Sequence, residues 1–301
     1  MRVLMTGRSG LIGCALTTVL ESQGHEVVPA VRKIEPTAPG SVFWSPIKGF
    51  ADVQQIEGMD AVVHLAGENI ASGRWTRARK REIKESRILG TRTLCEALSN
   101  LNRPPRVLVM ASAVGYYGDR GDEVLTEESS PGRGFLADVV REWEAAAFAA
   151  EEAGLRVVFM RLGAVLSEKG GALRKMLLPC RLGLGGRLGS GRQFMSWIAI
   201  DDAVRAFCHA IETESVRGPV NTVAPNPVTN LVFMRTLGRV LHRPTFLPLP
   251  APVARIALGE IADELLLASC RAIPAALEAS GFRHAHATID EALGALVGRT
   301  G

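Results

Sequence analysis

The chain opens on MRVLMTGRSGLIG, residues 1–13, and this stretch constrains the fold more than any other. Arg2 to Met5 is a short, largely apolar run ending in Thr6. Gly7, Gly10 and Gly13 follow at G-x-x-G-x-x-G spacing, and apolar periodicity predicts a helix from Leu11 to Gln23, with Gly24 placed to end it. Gly7 makes the tight exit from the strand. Gly10 has no Cβ, so a pyrophosphate can approach the backbone. Gly13 lets the helix pack close to the sheet. The free N–H groups and dipole of the helix start face the phosphates. A plain βα turn also uses glycine, but the strand before and the helix after favour dinucleotide binding. Gly7, Arg8, Ser9, Gly10, Leu11, Ile12 and Gly13 are the expected contacts.

The second strand, Glu26 to Val31, decides which dinucleotide is bound. An acid at its end would hold the ribose 2′-OH of NAD, whereas an arginine accommodates the 2′-phosphate of NADP. Arg32-Lys33 stands there, and Arg8 adds a cation in the turn. NADP(H) is therefore expected over NAD(H), unless Arg32 is simply a solvated loop residue.

Further strands are expected at Val42–Trp44, Asp60–Ala66, Arg106–Ala111, Leu155–Arg161 and Pro219–Ala224. Leu65, Ala66 and Gly67 would then lie at the carboxyl edge of the sheet, where ligands sit. His64 reads as a core histidine. Arg74 to Arg92 is a basic helical stretch. It has one aromatic residue and no nucleic-acid-binding motif beside it, so no nucleic acid partner is expected. Helices are expected at Gly134–Ala153 and from Asp201-Asp202 to about Ile211. Gly170 to Gly191 reads as a flap or an ordinary surface connection. From Pro225 onward prolines cluster between short apolar helices, and Thr288 with Glu291 has capping-box spacing.

Strands alternating with helices give an α/β chain, a doubly wound parallel sheet of the Rossmann kind. The expected division is a nucleotide-binding domain at 1–225, with its flap at about 170–195, and a mostly helical C-terminal appendage at 226–301. No apolar run approaches the ~20 residues that span a bilayer, so no membrane partner is expected. No secretory signal is recognisable, which makes a cytoplasmic location the expectation. Five scattered cysteines without C-x-x-C spacing argue for free thiols and against a metal site. A net charge of +4 over 301 residues decides nothing about partners.

TGRSGLIG (6–13), HLAGENI (64–70), SRILGT (86–91), SAVGYYG (112–118), GFLADVVREWEAAA (134–147), RLGAVL (161–166), GSGRQFMSWIAIDDAVRA (189–206) and GPVNTVAP (218–225) occur in that order. Together they resemble the extended short-chain dehydrogenase/reductase superfamily, and more closely its atypical NAD(P)-dependent epimerase/dehydratase-like branch with its own C-terminal domain. The resemblance implies adenosine-ribose contacts at Val31 and Arg32, and cofactor contacts at Leu65 and Ala66. It puts Arg87 where members carry an inward Asn. It further suggests an inward Arg87–Glu82 couple, with Arg161 pointing at the same cleft. A homodimer is common in such folds.

Typical members exchange protons through a Ser, and through a Tyr and Lys spaced Y-x-x-x-K on the helix after the Ser strand. Here that helix reads FLADVVR over 135–141, with neither Tyr nor Lys. Alignment on Tyr117-Gly118 puts Ala113 at the Ser position and Ser112 one residue early. Ser112, Tyr116 and Tyr117 are the candidate replacements, although packing would account equally well for both tyrosines. Arg141 and Glu144 could add charge, but the helix register is expected to turn Glu144 away. Asp201-Asp202 reads as a helix start before it reads as a base. Two functions are then open. One is an NADP(H)-dependent epimerase or oxidoreductase acting on a small polar substrate. The other is a non-catalytic NADP(H)-binding regulatory protein.

Overall fold

The computed structural model describes residues 1–32 and 40–298, so Lys33 lies outside it. Eight strands form one sheet: β1 (Arg2–Thr6), β2 (Glu26–Val31), β3 (Val42–Ser45), β4 (Gly49–Phe50), β5 (Ala61–His64), β6 (Val107–Ala113), β7 (Arg156–Leu162) and β8 (Gly218–Thr222). Their spatial order is β8-β7-β6-β5-β1-β2-β3-β4. Every pairing is parallel except the edge hairpin β3–β4. The chain runs outward from β1 through β2 and β3, then returns to the other side of β1 as β5. The carboxyl ends of β1 and β5 therefore bound the crevice where strand order reverses, which is where ligands bind in open α/β sheets.

Alternation along the central strands explains the two layers. Val3 and Met5 join Leu16, Leu20, Val63 and Phe207 on one face. Leu4 joins Val62, Leu94, Leu98 and Trp143 on the other. Strands buried on both sides are apolar almost without interruption, as these are. Five helices bear on the site: α1 (Leu11–Ser22), α2 (Arg77–Ser99), α3 (Phe135–Ala145), α4 (Gly171–Arg181) and α5 (Ile200–Glu212). The single helix expected over 134–153 breaks after α3. A short helix, Phe148–Glu152, follows, and the break turns Ala147 and Ala150 fully inward.

Beyond residue 226, helices Asn230–Val240 and Ile289–Val297 have no separate core. Their Phe233, Leu237 and Leu293 share one apolar cluster with Leu173 and Leu177 of α4 and with Trp197. The capping box forms: Thr288 caps the last helix, and the Glu291 carboxylate accepts from Thr288 N at 2.9 Å. Asp202 is fully buried and accepts from Ala285 N and His286 N, both at 2.8 Å, so it ties this tail to α5. That structural duty removes it as a base, while Asp201 sits exposed in the same first turn. All five cysteines are free, and no helix among the described residues is long and apolar enough to cross a membrane.

Candidate active site in the sheet crevice

The glycine turn forms a cradle that only glycine permits. Gly7 has φ +70°, and a Cβ there would lie 2.7 Å from the Leu65 carbonyl carbon. A Cβ on Gly13 would run into the Gly7 carbonyl oxygen and come within 2.8 Å of Arg8 Cα. Gly10 N donates to Gly7 O at 3.0 Å, and the first helical bond runs from Cys14 N to Gly10 O. The N–H groups of Leu11, Ile12 and Gly13 thus have no acceptor among the described residues. No side chain among the described residues caps α1, and its first turn holds no acid. Helix ends leave these donors for a cap, water or an anion, and this one is open to an anion. Thr6 closes the floor. Its Oγ1 accepts from Leu65 N and Ala66 N, both at 3.2 Å, and lies 2.7 Å from His64 Nδ1. The residues present therefore fit a dinucleotide pyrophosphate.

At the next corner Arg32 follows β2 and is exposed, with Nη1 3.9 Å from Glu68 Oε1. Arg79 binds the other oxygen of Glu68 at 3.3 Å and Glu82 at 2.9 Å. Arg8 lies in the turn, 3.7 Å from Glu21. The expected Arg87–Glu82 couple does not form. Five residues is well over one helical turn, so the two side chains point about 140° apart. Glu82 instead meets Arg79, three residues away. Arg87 is turned under Gly67, donates to Glu68 O at 3.0 Å and Ile83 O at 3.1 Å, and is pushed down to about 10 by burial.

The catalytic candidates meet at the ends of β6 and β7, where Ser112 pairs with Arg161 across the ladder. Arg161 is 3% exposed, and each of its guanidinium nitrogens is engaged. Nε and Nη2 fork onto Glu144 at 2.9 and 2.8 Å, and Nη1 donates to Tyr117 Oη at 3.0 Å. Arg161 is thus held by Glu144 and Tyr117 at the carboxyl edge of the sheet. Burial works against its charge, but the bonds to Glu144 outweigh this and raise its pKa. Glu144 also faces inward, contrary to expectation, and accepts from Ser112 Oγ at 2.5 Å. Leu136, Val140 and Glu144 are spaced by four, so the acid lies on the helix's own apolar stripe. That spacing is the signal which could have found it. Arg141 faces outward and pairs with Asp138.

The two tyrosines separate. Tyr117 is fully buried, and its hydroxyl donates either to Asn221 Oδ1 at 2.7 Å or to Thr126 O at 3.0 Å while it accepts from Arg161. Burial, opposed by Arg161, pushes this phenol up to about 12. Tyr117 is thus a structural residue. Tyr116 is half-buried, its ring lies 3.6 Å from the Arg161 guanidinium carbon, and its phenol has no partner among the described residues. The C-terminal segment reaches the same place. Glu264 accepts from Phe135 N at 3.0 Å and Leu136 N at 3.1 Å, so it caps α3. At the cofactor side, Lys175 of α4 donates to Ala71 O at 3.1 Å, bridging the flap helix to the loop after β5.

Comparison with known proteins agrees with this fold. The sequence profile of the NAD dependent epimerase/dehydratase family matches residues 3–223, and that of a domain of unknown function, DUF1731, matches 249–296. The chain is 47% identical over 299 residues to the epimerase family protein Mb2239 of Mycobacterium bovis, covering 99% of this chain and 98% of that one. The crystal structure of human epimerase family protein SDR39U1, isoform 2, with NADPH superposes with a TM-score of 0.91 at 37% identity, covering 99% of this chain and 100% of the human one. The structure described as a nucleoside-diphosphate sugar epimerase from Corynebacterium glutamicum gives 0.82 at 40% identity, covering 99% of this chain and 58% of that one. The chain belongs to the NAD dependent epimerase/dehydratase family.

Proposed function

We propose that this family member binds NADP(H) in the β1–α1 crevice and acts on a small polar substrate by epimerase- or oxidoreductase-type chemistry, with Tyr116 as its proton-transferring group. The open donors of α1 and the glycine cradle would hold the pyrophosphate. Arg32 would hold the 2′-phosphate, and the NADPH in the human relative supports that choice. When bound, the cofactor supplies hydride exchange at a carbon bearing oxygen.

The observation that carries the catalytic reading is the freedom of Tyr116. The polar groups of Ser112, Tyr117, Glu144 and Arg161 are engaged by neighbours, while this phenol is half-buried, without a partner among the described residues, and set over Arg161. Glu144 fixes Arg161, and Arg161 fixes the ring. The sugar-nucleotide epimerase similarity favours a polyhydroxylated substrate.

One observation favours the regulatory reading. Ser112, which would have to polarise the substrate oxygen, already donates to Glu144 at 2.5 Å. Nucleoside-diphosphate sugars and small carbonyls should be screened by NADPH absorbance and, for epimers, by proton NMR. Turnover by the native chain, lost in Tyr116→Phe with NADPH affinity intact, supports the proposal. Tight NADPH binding with no turnover across the screen leaves the regulatory role, and full activity in Tyr116→Phe removes Tyr116 from the chemistry.

A further inference from the structure

Charge and exposed apolar surface are concentrated in the same two segments. Residues 169–200 and 225–259 contain ten Lys and Arg and no Asp or Glu, so the other 234 residues carry a net charge of −6. All ten cations are exposed. Arg239 pairs with Asp290 and Arg255 with Asp263, while the other eight have no carboxylate partner among the described residues. The same segments hold eight of the eleven exposed large apolar side chains found among the described residues.

The two segments lie against each other. Leu247 N donates to Gly185 O at 3.1 Å, Leu249 N to Arg187 O at 2.9 Å and Arg243 Nε to Arg181 O at 3.0 Å. Leu178 and Leu182 are one helical turn apart at the end of α4. Leu184 follows them, and Phe246 and Leu247 stand on the adjoining strip. Leu182 is 65% exposed and Phe246 is 73% exposed. Protruding apolar tips framed by unpaired cations are the pattern of a surface that settles into an anionic headgroup layer.

We propose that this face, formed by the end of α4, residues 182–189 and residues 243–249, docks the protein on an anionic lipid surface. The apolar tips enter the interface, and Arg174, Arg181, Arg187 and Arg243 meet the headgroups. The expectation of no membrane partner rests on the lack of a spanning run, and surface docking needs none. A second copy of the chain is a poorer occupant, because a two-fold contact would set this acid-free face against itself. The proposal is independent of the cofactor and of turnover.

The test is cosedimentation of the full chain with vesicles of phosphatidylglycerol and phosphatidylcholine, against phosphatidylcholine alone, at low and high salt. Two variants accompany it, Leu182→Glu with Phe246→Glu, and Arg181→Glu with Arg243→Glu, each checked for an unchanged circular dichroism spectrum and NADPH affinity. Binding to anionic vesicles only, weakened by salt and cut about tenfold or more by either variant, supports docking. Absence of binding overturns it, as does equal binding to neutral vesicles. Self-association without vesicle binding, abolished by Leu182→Glu with Phe246→Glu, would assign the face to a contact between copies and also overturn it. Salt and lipid dependence are read on the native chain, so they decide even if a variant fails to fold.

Discussion

Arg161 and Glu144 form a forked ion pair, at 2.8 and 2.9 Å, at the position where the family's proton-exchanging helix faces its sheet. Both side chains are nearly buried, with 4% and 11% exposure. Removing one partner strands the other without water. Glu144→Ala is therefore expected to cost about 3–5 kcal/mol. Urea unfolding measures this, and a loss below about 1 kcal/mol would show that Arg161 finds another partner.

Tyr117→Phe leaves Arg161 and Asn221 each short of a buried partner, at a cost of roughly 1–3 kcal/mol. Tyr116→Phe removes an unpartnered hydroxyl and should leave stability unchanged. Alkali adds a second signature. The Tyr117 phenol is pushed from 10 up to about 12 in the folded chain, so the folded state holds the proton more tightly. Its contribution is complete below about pH 10 and is lost as pH rises towards 12. Stability against pH in this range should fall more steeply for the native chain than for Tyr117→Phe.

His64 gives the opposite sign. It is fully buried, and burial lowers its pKa from 6.5 to about 4. The unfolded chain therefore binds a proton that the folded chain refuses. The stabilisation is present above pH 6.5 and declines by about 3 kcal/mol as pH falls to about 4. His64→Gln should flatten this part of the curve. An unchanged slope in chemical denaturation would show that another group governs acid unfolding.

In the glycine turn, Gly13→Ala puts a methyl group into the Gly7 carbonyl and against Arg8. Backbone cannot yield there without opening the cradle, so NADPH affinity should fall at least tenfold. Gly10→Ala meets only the Gly7 oxygen within the protein, at 3.2 Å, so it should spare the fold and lower NADPH affinity through a methyl set against the pyrophosphate. Native NADPH affinity in both variants by calorimetry would mean that the cradle does not hold the pyrophosphate.

The layered sheet and the crevice were legible because they depend on local signals. The apolar runs at Val3–Met5, Ala61–Val63 and Val107–Met110 and the three glycines report on their own neighbourhoods. The polar cluster was less legible because its partners come from distant elements. Glu144 meets residues 32 and 17 positions away, and Asn221 meets Tyr117 from 104 positions away. The one local clue is an acid on an apolar helix stripe, Glu144 in line with Leu136 and Val140. Glu264 on α3 and Glu68 beside Arg32 had no motif to mark them. The Arg87–Glu82 pairing failed on helix geometry alone, because a five-residue separation does not share a face.

The proposed preference for NADP(H) rests on Arg32 and the α1 turn. Fluorescence titration with NADPH and NADH in parallel, on the native chain and on Arg32→Ala, tests it directly once co-purified nucleotide is removed. The expected result is tight NADPH binding, much weaker NADH binding, and a roughly tenfold to hundredfold loss of NADPH affinity in Arg32→Ala with NADH unaffected. Equal affinity for both nucleotides, or an Arg32→Ala variant that binds NADPH as the native chain does, would contradict it.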